Sequence, residues 1–410
     1  MHSGTTWTPG GAGAIRKVLP LTILSALLLI VAVTPAQAQT ETVLYNFCSQ
    51  PNCSDGGDIF SGLTSDGAGN FYGTTGFGVQ GNGTVFELSP NGSGGYNETV
   101  IHAFCSGGGN SCPDGADPYF SNVIFDSQGN LYGTTSAGGA YGFGVAFELS
   151  PLAGTWTETV LYSFANNGDG AGPGNGLIMD SAGNLYGTNS AGVFELRPSG
   201  GNWTEQVIYS VDGAYDRSGL TMDSSGNIFG VTNSTVFEVS PNGQGGWNAN
   251  VIYSFPGYAR DGSSPASAPV LDQAGSLYGT TAAGGSHNYG TVYKLTSGKN
   301  GWTEKRLYSF KSPKKDAGAP FAGVVLDQTG NIYGTTLGGG TDDAGAVFEL
   351  VPPVGKGKYE EKVLWYFNIA DGEWPYGTLI LDSAGNLYGT TNDGGSGGYG
   401  EYGTVFEVTP

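Results

Sequence analysis

The chain has 410 residues, 74 of them glycine, with 12% charged residues and a net charge of −20. That charge repels phosphate backbones and anionic headgroups, which excludes nucleic-acid binding by counterion release and electrostatic membrane attachment. Aromatic residues at 12% separate it from disordered and linker sequence, which lacks the apolar bulk to build a core.

At the N-terminus, Arg16 and Lys17 precede the apolar run VLPLTILSALLLIVAV, and TPAQAQ follows. A basic start, an apolar middle and the small pair Ala36 and Ala38 predict a signal peptide over residues 1–38, with the mature chain beginning at Gln39. The alternative is an uncleaved anchor. No later segment is long and apolar enough to span a bilayer. An exported protein is expected, periplasmic or extracellular.

The mature chain opens on ETVLYNF, a strand-like run without companions, followed by Cys48 and Cys53; Cys105 and Cys112 follow a second such run. In an exported chain these predict two local disulfides. Zinc is the rival reading, but the spacing suits neither a ribbon nor a finger and no histidine completes a ligand set.

From Asp66 onward one phrase recurs seven times, starting at Asp66, Asp126, Asp180, Asp223, Asp272, Asp327 and Asp382, at spacings of 43 to 60 residues. This period suits a propeller blade. Each unit carries four strand signals: an apolar run ending in the aspartate (a), NLYGTT (b), GTVFELSP (c) and WTETVLYSF (d). The expected fold class is all-β, a seven-bladed β-propeller of four-stranded antiparallel blades forming one domain over 39–410. The isolated N-terminal strand supplies the d strand that the last unit lacks, so pairing with the C-terminal strand closes the ring and removes an open sheet edge. The repeated DSAGN is then one recurring corner, with Gly183 at positive φ and the Asp180 carboxylate accepting turn amides.

The unit DxxGNLYGTT, GTVFELSP and ETVLYSF resembles the GloVer (Gloeobacter/Verrucomicrobium) tandem repeat of exported bacterial proteins and, more distantly, the hairpin of NHL-type propellers. The resemblance covers essentially all of 41–410 and implies an exported propeller without an established activity. With the last repeat running to Pro410, the C-terminal sorting anchor of some members is not expected.

Chain reversal puts the b–c and d–a loops on one face, and these are the longer, more variable loops that carry function on rigid scaffolds. The d–a loops repeat a motif of an aspartate with a proline four residues on, usually Asp-Gly-x-x-Pro, at Asp114, Asp169, Asp261, Asp316 (DAGAP) and Asp371, with looser versions at Asp55 and Asp212. A ring of carboxylates would hold cations or sugar hydroxyls; a plain turn motif is the simpler explanation. Blades 3 and 4 have short b–c links, and beyond them in chain order come Tyr258, Arg260 and Asp261, then His287, then Lys311, Lys314 and Lys315. These form the candidate ligand site, and its three lysines belong to a basic island of seven residues from Lys294 to Lys315 that suits an anionic ligand or an acidic partner, or is a solvated edge.

His102 stands where the other d strands carry tyrosine or tryptophan and reads as a packing substitute. The strand-b aromatics read as core, and the strand-c glutamates, beginning with Glu87, as cross-strand pairs. No nucleophile with a partnered base, zinc-protease motif or phosphate loop is present, so no catalytic residue, cofactor or metal is assigned. The expected protein is a monomeric binding scaffold for carbohydrate or a cell-surface polymer. The alternatives are a lyase or hydrolase using His287 with loop carboxylates, and a purely structural surface protein.

Overall fold

The computed structural model describes residues 39–78, 81–107, 112–211, 219–257, 261–311, 316–396 and 402–410. The signal peptide expected over 1–38 lies outside the described residues. Among the described residues, β-branched and aromatic runs form seven four-stranded antiparallel sheets in the order a-b-c-d, and helix is confined to the single turn Pro51–Cys53. Strand a is short, as in Thr64–Ser65; strand b, as in Phe71–Thr75, is buried on both sides; strand d, as in Tyr96–Ala103, alternates between exposed and half-buried residues. An inner strand covered on both faces reads as a continuous apolar run, whereas an outer strand alternates.

Closure is direct. Thr40–Asn46 pairs antiparallel with Thr404–Thr409, from Thr40 opposite Thr409 to Asn46 opposite Thr404. The six internal c–d pairs each shift register between the second and third strand-c residues, as at Val85/Phe86, and the closing pair shifts at the matching place, between Val43 and Tyr45. The closing strand is therefore a true d strand.

Seven apolar clusters join consecutive sheets, and one of them links Tyr388 and Val405 of blade 7 to Leu63, Phe71 and Phe86 of blade 1. The phenylalanine of VFEL is fully buried in six blades, with Tyr293 replacing it in blade 5. Each fully buried ring of this kind contributes about 1.5–3 kcal/mol. The LYGTT glycine makes room for it: a Cβ on Gly73 would sit 2.6 Å from Phe86 Cζ, and one on Gly389 2.6 Å from Phe406 Cζ.

The DxxGN corner takes the expected form. Asp180 Oδ1 accepts the amides of Ala182 and Asn184, both at 2.9 Å, and Oδ2 accepts Asn184 Nδ2 at 2.8 Å and Tyr186 OH at 3.0 Å, while Gly183 holds φ 83°. Burial opposes ionisation of Asp180, but these donors outweigh it and hold the carboxyl below its ordinary value. Strand-c glutamates face strand-b aromatics across the sheet, as Glu195 faces Tyr186 at 3.1 Å. In blade 5 Lys294 takes that place, 2.6 Å from Tyr278 OH and 3.2 Å from Asp272.

Candidate functional site on the long-loop face

Among the described residues the d–a and b–c loops share a face, because the two loops of one blade pair with each other in blades 1, 2, 3, 5, 6 and 7. Gly57 bridges Phe77, Ala116 bridges Ala137, Glu373 bridges Asp393, and Gly262–Pro265 and Ala317–Gly318 form short strands with the same partners in blades 5 and 6. In blades 1, 2, 3, 6 and 7 the loop also reaches the preceding blade. The amides of Asp58, Asp117, Ala319 and Trp374 donate to the carbonyls of Tyr402, Asn82, Tyr289 and Ala344 at 2.8–3.1 Å. The loop proline then lies over the glycine opening strand c of that preceding blade: a Cβ on Gly345, at φ 110°, would come 2.7 Å from Pro375 Cδ. Two separate sequence motifs are thus the two halves of one contact between blades.

The loop aspartates lock these loops to strand d. Asp169 accepts Tyr162 OH at 3.0 Å and the amides of Ala165 and Asn167; Asp316 accepts Tyr308 OH at 3.1 Å and the Lys311 amide at 2.9 Å. Asp261 accepts Tyr253 OH at 3.2 Å, Asp371 accepts Trp365 Nε1 at 3.3 Å, and Asp55 accepts Tyr45 OH at 2.9 Å. Asp55, Asp169, Asp316 and Asp371 are buried. In blade 1 the lock is His102, whose Nε2 lies 3.5 Å from Asp114; burial lowers its pKa while Asp114 acts in the opposite sense. The histidine therefore keeps the polar role of the tyrosines as well as their bulk. Disulfides Cys48–Cys53 and Cys105–Cys112 brace the two loops where this lock joins blades 7 to 1 and 1 to 2.

Of the basic candidates, His287 and Lys311 are exposed on this face, with the Lys311 ammonium 5.4 Å from the centre of the Tyr308 ring. Tyr258, Arg260, Lys314 and Lys315 lie outside the described residues, as does Asp212. Lys294, at the a–b corner, belongs to the opposite face, so the basic island divides between the two.

Two features of this region escaped the sequence. The first is a set of exposed aromatic rings on the long-loop face: Tyr141 and Phe143 in blade 2, Tyr289 in blade 5, Tyr366 at the end of the blade 6 d strand, and Trp374 in the loop that follows. The second is an axial cavity of about 380 Å³, lined by strand a and the residues just before it. At its end on this face stand Phe60, Phe120, Phe321 and Tyr376, with ring centroids 4.8 Å apart for Phe60 and Phe120, 5.3 Å for Phe60 and Tyr376, and 6.1 Å for Phe321 and Tyr376. Aromatic residues in loops were the available signal, but only ring order shows that they meet. Among the described residues, no group of three or more His, Cys, Asp or Glu side chains suits a metal ion, and no helix is long and apolar enough to cross a membrane.

Comparisons with known proteins agree with this architecture. A streptogramin B lyase shares 16% sequence identity at a TM-score of 0.55, covering 90% of this chain and 97% of its own. Virginiamycin B lyase from Staphylococcus aureus shares 15% at 0.55, covering 91% and 99%. The extracellular domain of a protein described as a hybrid two-component system of B. thetaiotaomicron shares 16% at 0.55, covering 90% of this chain and 41% of that one. At such identities the likeness is one of fold. None of the curated proteins compared matches the sequence. The family model described as the Gloeobacter/Verrucomicrobia repeat matches residues 109–235 and 232–410, and the chain belongs to that repeat family.

Proposed function

We propose that the protein is an exported, non-catalytic propeller that binds carbohydrate or a cell-surface polymer through its long-loop face. The observation that carries this reading is the concentration of exposed aromatic rings, Tyr141, Phe143, Tyr289, Tyr366 and Trp374, on that one face. Exposed aromatic surface on a rigid frame is characteristic of recognition surfaces. Trp374 sits in a loop tied to strand d by Asp371, and the b–c loops carrying Phe143 and Tyr289 accept backbone hydrogen bonds from Gly172 and Ala319 of the following blades, so little ordering entropy opposes binding. Two disulfides are consistent with an oxidising, extracytoplasmic compartment, and an extracellular domain is among the proteins of similar fold.

The test is an array of polysaccharides and cell-wall polymers probed with the chain from Gln39 onward. Saturable binding that weakens in Trp374→Ala and Tyr289→Ala is expected. Binding unchanged by these substitutions, or none at all, would refute the reading. Turnover of a polysaccharide or lactone that disappears in His287→Ala would replace it with a catalytic one.

A further inference from the structure

The axial cavity has a composition of its own. Its wall polar groups are amides and hydroxyls, from Asn122, Asn175, Thr64, Thr221, Ser267 and Thr378, and among its described lining residues none is charged. Asn175 donates Nδ2 to Thr188 Oγ1 at 3.1 Å, which ties its side chain to strand b of its own blade.

The mouth is asymmetric. The residue after the loop proline, or after Ile59 in blade 1, is Phe60 in blade 1, Tyr119 in blade 2, Phe321 in blade 6 and Tyr376 in blade 7, but Gly174 in blade 3 and Ala266 in blade 5. Blades 6, 7, 1 and 2 are consecutive around the closed ring, so the rings form a crescent, with Gly174 and Ala266 on the described part of the far side; the matching position of blade 4, Arg217, lies outside the described residues. Blade 2 extends the crescent by a one-residue insertion: ten residues separate Asp114 from Ile124, against nine between Asp55 and Thr64. The inserted Phe120 holds φ 58°, a conformation that bulky side chains seldom adopt. All four rings lining the mouth are half-buried, which leaves part of their faces open.

Ring faces beside uncharged hydroxyls and amides suit a neutral polyol ring: its C–H face packs on the aromatic face and its hydroxyls exchange hydrogen bonds with the wall. Among the described lining residues a charged ligand would find no charged side chain to offset its desolvation. About 380 Å³ lies at the low end of the ~300–1,000 Å³ typical of small-molecule pockets, a size for a chain end rather than the middle of a polymer. We infer that the crescent of Phe60, Phe120, Phe321 and Tyr376 at the mouth of the axial cavity binds the terminal sugar ring of a neutral glycan. This rests on the binding function proposed above and names both its principal subsite and its ligand class.

Calorimetric titration of the chain from Gln39 with cellohexaose, xylohexaose, mannohexaose and chitohexaose, and in parallel with oligogalacturonate, tests it. At least one neutral oligomer should bind, with affinity reduced about tenfold in Tyr376→Leu and in Phe321→Ala, as expected for one lost ring contact. His287→Ala and Lys311→Ala should leave it unchanged. Tyr376→Leu retains apolar bulk, and an unaltered thermal transition guards against misfolding. A neutral oligomer bound equally by all variants would overturn the mouth site while leaving the binding function intact. Binding of oligogalacturonate alone, lost in Lys311→Ala, would overturn the site in favour of a rim site for acidic polymers. No binding of any probe would count against both.

Discussion

Gly389 and Asp382, seven residues apart in one repeat, answer to different constraints. The aspartate accepts the Ala384 and Asn386 amides at 2.9 and 2.8 Å, a role that residue type and spacing announce. The glycine keeps an ordinary backbone and is required because Phe406 fills the space above it, a constraint visible only once strands b and c are paired. Gly389→Ala should cost about 1–3 kcal/mol through overpacking, measured by urea denaturation; a loss below about 0.5 kcal/mol would mean that the core yields at that point. Legibility follows the same division. The corner aspartates, the cysteine pairs and the aromatic substitution at His102 depend on local chemistry and could be read directly. The partner of each loop aspartate could not, because the tyrosine that binds it lies eight residues back in Tyr308 and Asp316 but ten back in Tyr45 and Asp55, across a loop of variable length.

At the scale of the element, strand d carries a device that repeats in six blades. Glu41, Glu98, Glu158, Glu205, Glu304 and Glu361 occupy matching positions, each opposite a leucine or valine of strand c, as Glu98 is opposite Leu88. Each is partly buried near the loop aspartate that precedes its blade. Burial, then the charge of Asp371, pushes the Glu41 carboxyl up to about 7; burial, then Asp55, pushes Glu98 up to about 8; burial, then Asp114 and Asp169 respectively, pushes Glu158 and Glu205 up to about 7. Burial, then Asp261, pushes Glu304 up to about 7, with Arg306 opposing. Burial, then Asp316, pushes Glu361 up to about 8, with Tyr308 opposing. These carboxyls hold protons in the folded chain that the unfolded chain releases above pH 4.5, so stability falls as pH rises from there to about 8. The corner aspartates Asp126, Asp180, Asp272, Asp327 and Asp382 shift the other way, held against burial below their ordinary value by their hydrogen-bond donors, and their contribution is lost as pH falls through that lowered range. The melting temperature should therefore be higher at pH 5 than at pH 8, and Glu98→Gln with Glu361→Gln should reduce the difference. A chain more stable at pH 8 would contradict this assignment. The recurrent ETV of strand d marks these positions in the sequence, but alternation alone reads them as solvent-facing; it is the preceding blade and its loop that cover them, as Tyr308 covers Glu361 and Gln50 covers Glu98.

For the whole molecule, seven repeats and two complementary ends were enough to foresee a closed ring, since an unpaired d strand and an unpaired c edge satisfy one another's hydrogen bonds. The aromatic crescent was out of reach because its members lie as far apart as Phe60 and Tyr376 and meet only once the circle is shut; the Phe60–Tyr376 contact itself spans the junction of blades 7 and 1. Closure is also reinforced away from the paired strands, where Thr390 Oγ1 of blade 7 donates to the Ser61 carbonyl of blade 1 at 2.7 Å. Because ring closure places both the loop face and the cavity mouth, the most direct measurement compares thermal unfolding of the chain from Gln39 with that of a chain beginning after Asn46. Removing Thr40–Asn46 should lower the melting temperature sharply and expose the amides of Thr404–Thr409 to rapid hydrogen exchange, whereas an unchanged transition with those amides still protected would contradict a ring closed by its two ends.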